Sequence, residues 1–90
     1  MVGVSEVAQR LSEVSPDAIL WDGFDAALVG IGERCGMAPV AVYDRAKCID
    51  VLREDGLSWE DAEEYFCFNV EGCYAGELTP IIAVFDFPEK

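Results

Sequence analysis

The chain has 90 residues and a mass of 9.9 kDa, with 18 acids against 6 bases, no histidine and a formal net charge of −12. An apolar fraction of 52% excludes the disordered class, and the length suits one folded unit with no room for a second. So acidic a chain repels nucleic acid and anionic lipid across a Debye length of about 8 Å, which excludes direct DNA, RNA or membrane-surface binding.

The longest uncharged run, Cys35 to Tyr43, is far shorter than a membrane helix requires. Glu6 and Arg10 come early, with no apolar stretch beside them, so the N-terminus does not read as a signal peptide. Val4, Val7, Ala8, Leu11 and Val14 recur at helical spacing and predict a short amphipathic helix, stopped by Ser15-Pro16. Asp17 to Asp25 reads as an ordered connection holding Trp21 and the Asp22-Gly23 turn signal. Ala26 to Arg34 predicts a strand with Ala27, Val29 and Ile31 on one face. Leu28, Gly30 and Gly32 lie on the other, leaving it nearly bare for a neighbouring element. Cys35 to Pro39 is turn chemistry, and Val40 to Tyr43 is a second strand that closes a hairpin.

Asp44 is a natural N-cap for a helix through Arg45 to Glu54, which Asp55-Gly56 ends. Ser58 caps the next helix, with Asp61 at the capping-box position. Ala62, Tyr65, Phe66, Asn69, Val70 and Cys73 then trace one inward face, on which Asn69 reads as a buried amide capping backbone groups. Ile81 to Phe85 is a continuous apolar run and predicts a buried strand. The element order is α-β-β-α-α-β. It predicts an α+β fold whose helices cover one face of a small, largely antiparallel three-stranded sheet. Residues 1–90 read as one domain, with 1–18 as an N-terminal helical extension and 19–87 as the core.

Catalytic equipment is thin. Histidine is missing, and the serines stand at positions 5, 12, 15 and 58 only. Gly30-Ile31-Gly32 followed by Gly36 does not match a phosphate-binding loop. Cys35, Cys48, Cys67 and Cys73 contain no C-x-x-C pair, so neither a structural metal nor any other cofactor is expected. Cys48 and Cys67 read as small core residues, and Cys35 and Cys73 as candidates for exposed thiols. An enzyme would need a pocket lined by Asp22, Asp25 and Tyr43.

Charge distribution is more informative. Residues 1–53 hold eight acids and five bases, whereas residues 54–89 hold ten acids and no base. Solubility alone can account for an acidic helix. The sharper reading is that Glu54, Asp55, Glu60, Asp61, Glu63, Glu64 and Glu71 form a surface imitating the charge of a nucleic-acid backbone. Such a surface is steered to the lysine- and arginine-lined groove of a nucleic-acid-binding protein complex. Trp21 and Trp59 are candidate exposed anchors for an interface, while Tyr65 and Phe66 fit the core.

The run Trp21-Asp22-Gly23-Phe24-Asp25 is followed by Arg34-Cys35-Gly36, by Val42-Tyr43-Asp44 with Cys48, and by Asp55-Gly56. Glu63-Glu64-Tyr65, Phe68-Asn69-Val70 with Gly72, Gly76-Glu77 and Thr79-Pro80 complete the set. Over residues 19–82 this combination resembles a family of small proteins encoded in bacteriophages and prophages. The resemblance implies a setting in the cytoplasm of a bacterial host and brings no catalytic residues with it. A small acidic phage protein without catalytic equipment is similar in kind to anti-CRISPR proteins, several of which mimic DNA, an analogy of class and not of motif. The leading expectation is therefore a non-catalytic inhibitor of a host defence complex such as a CRISPR surveillance complex. The alternative is a structural or assembly protein of a phage or gene-transfer particle, with a homodimer packed through the glycine-bare face.

Overall fold

A computed structural model describes residues 4–21, 23–72 and 75–85, and of residues 4, 5 and 71 the backbone alone. The elements are helix α1 (Val4–Val14), a single 3-10 turn (Asp25–Ala27), strands β1 (Leu28–Gly32) and β2 (Val40–Asp44), helices α2 (Arg45–Glu54) and α3 (Trp59–Phe66), a π-helical turn (Cys67–Glu71) and strand β3 (Ile81–Ala83). The α+β class and the α-β-β-α-α-β order both hold.

The caps act where the sequence places them. Asp44 accepts a hydrogen bond from the Ala46 N–H at 2.9 Å and starts α2 directly from the end of β2. Gly56, at φ +106°, takes the left-handed conformation that closes α2. Two residues later the Ser58 hydroxyl accepts from the Asp61 N–H at 3.1 Å and starts α3. The α2–α3 connection is therefore short and locally determined.

The sheet has the order β1-β2-β3 and is mixed. The β1–β2 ladder is antiparallel, as expected of a hairpin, whereas β3 runs parallel to β2, pairing Val42 with Ile81 and Tyr43 with Ile82. Two helices separate β2 from β3 in sequence. They carry the chain back to the starting end of the sheet, so the third strand enters in the direction of the second.

The face assignment within β1 needs correction. Ala27 belongs to the 3-10 turn, and the β1–β2 register shifts between Leu28 and Gly30. This bulge puts Leu28 and Ile31 on the same, core-facing side, opposite Tyr43 and Ala41, where strict alternation separates them. The opposite face is not left bare at Gly32. A Cβ there would stand 2.9 Å from Val42 Cγ2 and 3.1 Å from Ile81 Cδ1, so the glycine makes room for its neighbours' side chains.

Leu11 from α1, Tyr43 from β2, Ile49 and Leu52 from α2 and Phe66 from α3 meet in one core on one side of the sheet. The N-terminal helix thus contributes to the core, because Leu11 is buried in the same cluster as Tyr43 and Phe66. Tyr43 also ties down the long connection before β1. Its ring stacks on Trp21 at 4.8 Å between centroids, and its hydroxyl accepts from the Trp21 backbone N–H at 3.0 Å. Trp21 is therefore a packing residue and no free anchor.

Candidate functional site

The acidic helix α3 and the turn after it present the most distinctive surface of the molecule. Ala62, Phe66 and Val70 are buried at a constant spacing of four residues. The expected inward stripe also included Tyr65, Asn69 and Cys73. Tyr65 is 47% exposed and Asn69 is exposed, while Cys73 lies outside the described residues. Tyr65 precedes the π turn and stands in the regular α-helix beside the buried Ala62–Phe66 line, not on it. From Cys67 the π turn, with more residues per revolution, keeps Val70 over the core and leaves Asn69 outside. Asn69 does bond backbone, its Nδ2 donating to the Tyr65 carbonyl at 3.2 Å, but from the surface and not as a buried cap.

Large rings are exposed along the same segment. Trp59 at the start of α3 is 52% exposed and Phe68 in the π turn is 78% exposed. They bound an open groove of about 530 Å³ whose walls include Glu60, Asp61, Glu64 and Cys67. Asp61, Glu64 and Phe68 also line a second hollow on the side of Tyr65 and Asn69, so this ridge is accessible from both flanks. Isolated exposed apolar residues are ordinary, but large rings exposed along one groove mark interaction surfaces. The sequence marks Trp59 as a candidate anchor. It does not mark Phe68 as one, and the position of that ring off the 62–66–70 spacing is the signal that could have found it.

The seven acids divide into separate groups. Glu60, Asp61 and Glu64 are exposed together on α3 and make no ion pair among the described residues. Glu63 also borders the groove, but its carboxylate accepts both arms of the Arg45 guanidinium, at 2.9 and 3.2 Å. The Arg45 guanidinium carbon also lies 5.4 Å from the Phe66 ring centroid. Glu63 is thus taken up in joining α3 to α2. Glu54 and Asp55 are exposed at the α2–α3 turn, where Glu54 lines a separate hollow with Asp50, Arg53 and Leu57. Glu71 ends the π turn, and its side chain lies outside the described residues.

The Arg45 hydrogen bonds hold the Glu63 carboxyl below its ordinary value. A carboxyl whose folded value is depressed stabilises the fold above its unfolded value, and loses that contribution as pH falls through the folded one. We therefore expect Glu63→Gln to be less stable than the parent at pH 7 by at most about 1 kcal/mol, the range of partly exposed pairs. That gap should close as pH falls below the usual carboxylate range near ~4. Urea midpoints of the two proteins across this range provide the check, and a gap independent of pH contradicts the assignment.

The cysteines also need correction. Cys48 is buried as expected, and burial, reinforced by Asp44, pushes its thiol up to about 12, so it is an inert core group. Cys67, expected in the core, is exposed beside the groove because it lies one residue past the buried Phe66 and off the 62–66–70 line. Cys35 is an exposed thiol in its turn. Among the described residues no group of three histidine, cysteine, aspartate or glutamate side chains is placed to hold a metal ion. The pocket that an enzyme reading required is not formed by its described members, since Tyr43 is fully buried under Trp21 while Asp25 is exposed. Asp22 lies outside the described residues.

No known protein family, curated protein or solved structure matches this chain. Among the described residues no helix is long and apolar enough to cross a membrane.

Proposed function

We propose that this chain is a non-catalytic inhibitor encoded by a phage, acting in the bacterial cytoplasm by seating α3 and the π turn on the basic nucleic-acid groove of a host defence complex, a CRISPR surveillance complex being the foremost candidate. The observation that carries the reading is the grouping of three carboxylates without an ion pair among the described residues, Glu60, Asp61 and Glu64, with the exposed rings of Trp59 and Phe68. Carboxylates in this number steer association with a cationic groove and set its salt dependence, and rings supply the desolvated contact area that holds a complex together. The surface is less a replica of a duplex backbone than a mixed one, with charge for approach and aromatic area for retention. Residues 54–89 contain no base, so their sequence contributes no opposing charge to the approach.

The test is a triple substitution, Glu60→Gln, Asp61→Asn and Glu64→Gln, which spares the Glu63 ion pair and hence the α2–α3 contact. In pull-downs from bacterial lysate, the parent should retain a nucleic-acid-binding complex at low salt and release it at high salt. The triple variant should bind that complex roughly tenfold more weakly, with a shallower salt dependence and an unchanged melting curve. Unchanged affinity overturns the mechanism. High-copy recovery in purified phage particles would instead place the chain among assembly proteins.

A further inference from the structure

We infer that the groove between Trp59 and Phe68 takes arginine side chains of a protein partner in preference to lysine. The inference rests on the basic-partner reading above and specifies its chemistry. Within the fold, α3 already engages the two arginines of α2 through its rings. Arg45 is gripped by the Glu63 carboxylate at 2.9 Å while its guanidinium lies over the Phe66 ring. The Arg53 guanidinium carbon lies 5.6 Å from the centroid of the Trp59 ring. On the outward side the same pairing recurs with no such occupant among the described residues: Glu64 stands four residues before Phe68, and both line the groove with Glu60 and Asp61.

A planar guanidinium can stack on a ring and offer two parallel N–H donors to a carboxylate at once. A lysine ammonium is a compact, strongly hydrated charge that gains little from the ring at an exposed site. The groove, about 530 Å³, is open to solvent and lined by one continuous helical segment, so it suits side chains laid along α3 and not an enclosed ligand. Charge complementarity selects a cationic partner, and the exposed rings select among cations.

The experiment compares two blocked peptides of equal length and charge, one carrying arginine and the other lysine at alternate positions between glycines. Binding to the full chain is measured by calorimetry at low salt. The arginine peptide should bind about fivefold more tightly than the lysine peptide. Phe68→Ala, at a site too exposed to matter for folding, should bring that ratio towards one without abolishing lysine-peptide binding. Equal affinity of the parent for both peptides overturns the arginine preference while leaving the basic-partner reading to its own salt-dependent pull-down. A preference that survives Phe68→Ala overturns the assignment to this groove. Binding of neither peptide, while the parent still captures its complex, likewise overturns the inference alone; loss of that capture as well overturns both.

Discussion

Phe66→Ala should destabilise the chain by about 3–5 kcal/mol, the range for deleting a fully buried aromatic side chain. The Phe66 ring is 0% exposed, and it meets Phe24 edge-on with centroids 6.4 Å apart at an interplanar angle of 70°. The Arg45 guanidinium lies against it as well, so truncation opens a cavity and also removes the ring partner of the cation that joins α2 to α3. Domains of this size retain about 5–15 kcal/mol in total, so a loss of this order takes a large share of the stability. Urea unfolding followed by far-UV circular dichroism measures it. Two residues on, Phe68→Ala should shift the midpoint by no more than about 0.5 kcal/mol, as for other exposed positions. The two phenylalanines differ in role because one faces the core and the other faces water. Equal costs at the two sites would mean that the two rings do not face core and water as described.

The second large effect is expected at Tyr43→Phe, which keeps the ring and removes one oxygen. Tyr43 is 0% exposed, and its hydroxyl accepts the Trp21 backbone N–H at 3.0 Å, fastening the connection before β1 to the central strand. The variant leaves that N–H without this acceptor at a half-buried position, at a cost of about 1–3 kcal/mol. The stacking of the two rings persists, so the loss falls on the bonding of the hydroxyl and the segment it holds, not on the ring contact. Hydrogen exchange at the Trp21 amide should quicken by more than exchange in α2. A uniform change across the chain would show that the bond does not act locally.

Together the two variants separate support of the candidate surface from the surface itself. Phe66 and the Arg45–Glu63 pair fix the orientation of α3, and Tyr43 fixes the far side of the core. Of these side chains only Glu63 also borders the groove of the exposed group formed by Trp59, Glu60, Asp61, Glu64 and Phe68, and it is engaged by Arg45. Substitutions in the exposed group should therefore change binding at constant stability, whereas those beneath it change stability first.

Short-range chemistry makes much of this molecule legible in its sequence. Asp44, Gly56 and Ser58 act on backbone groups within three residues of themselves, so the boundaries of α2 and α3 follow from local rules. The hairpin, the order of the elements and the concentration of carboxylates after Arg53 are likewise properties of adjacent residues. Tertiary structure decided what depends on partners far along the chain. The direction of β3 follows from where the two preceding helices deliver it. The bulge that brings Leu28 and Ile31 to one face arises in the pairing with β2 and not in β1 alone. Glu63 and Glu64 are indistinguishable neighbours in sequence, yet one reaches Arg45, eighteen positions away, and the other stands free of any ion pair among the described residues. The change to a π turn at Cys67 keeps Val70 over the core, because burial of the next apolar anchor outweighs regular α-helical spacing.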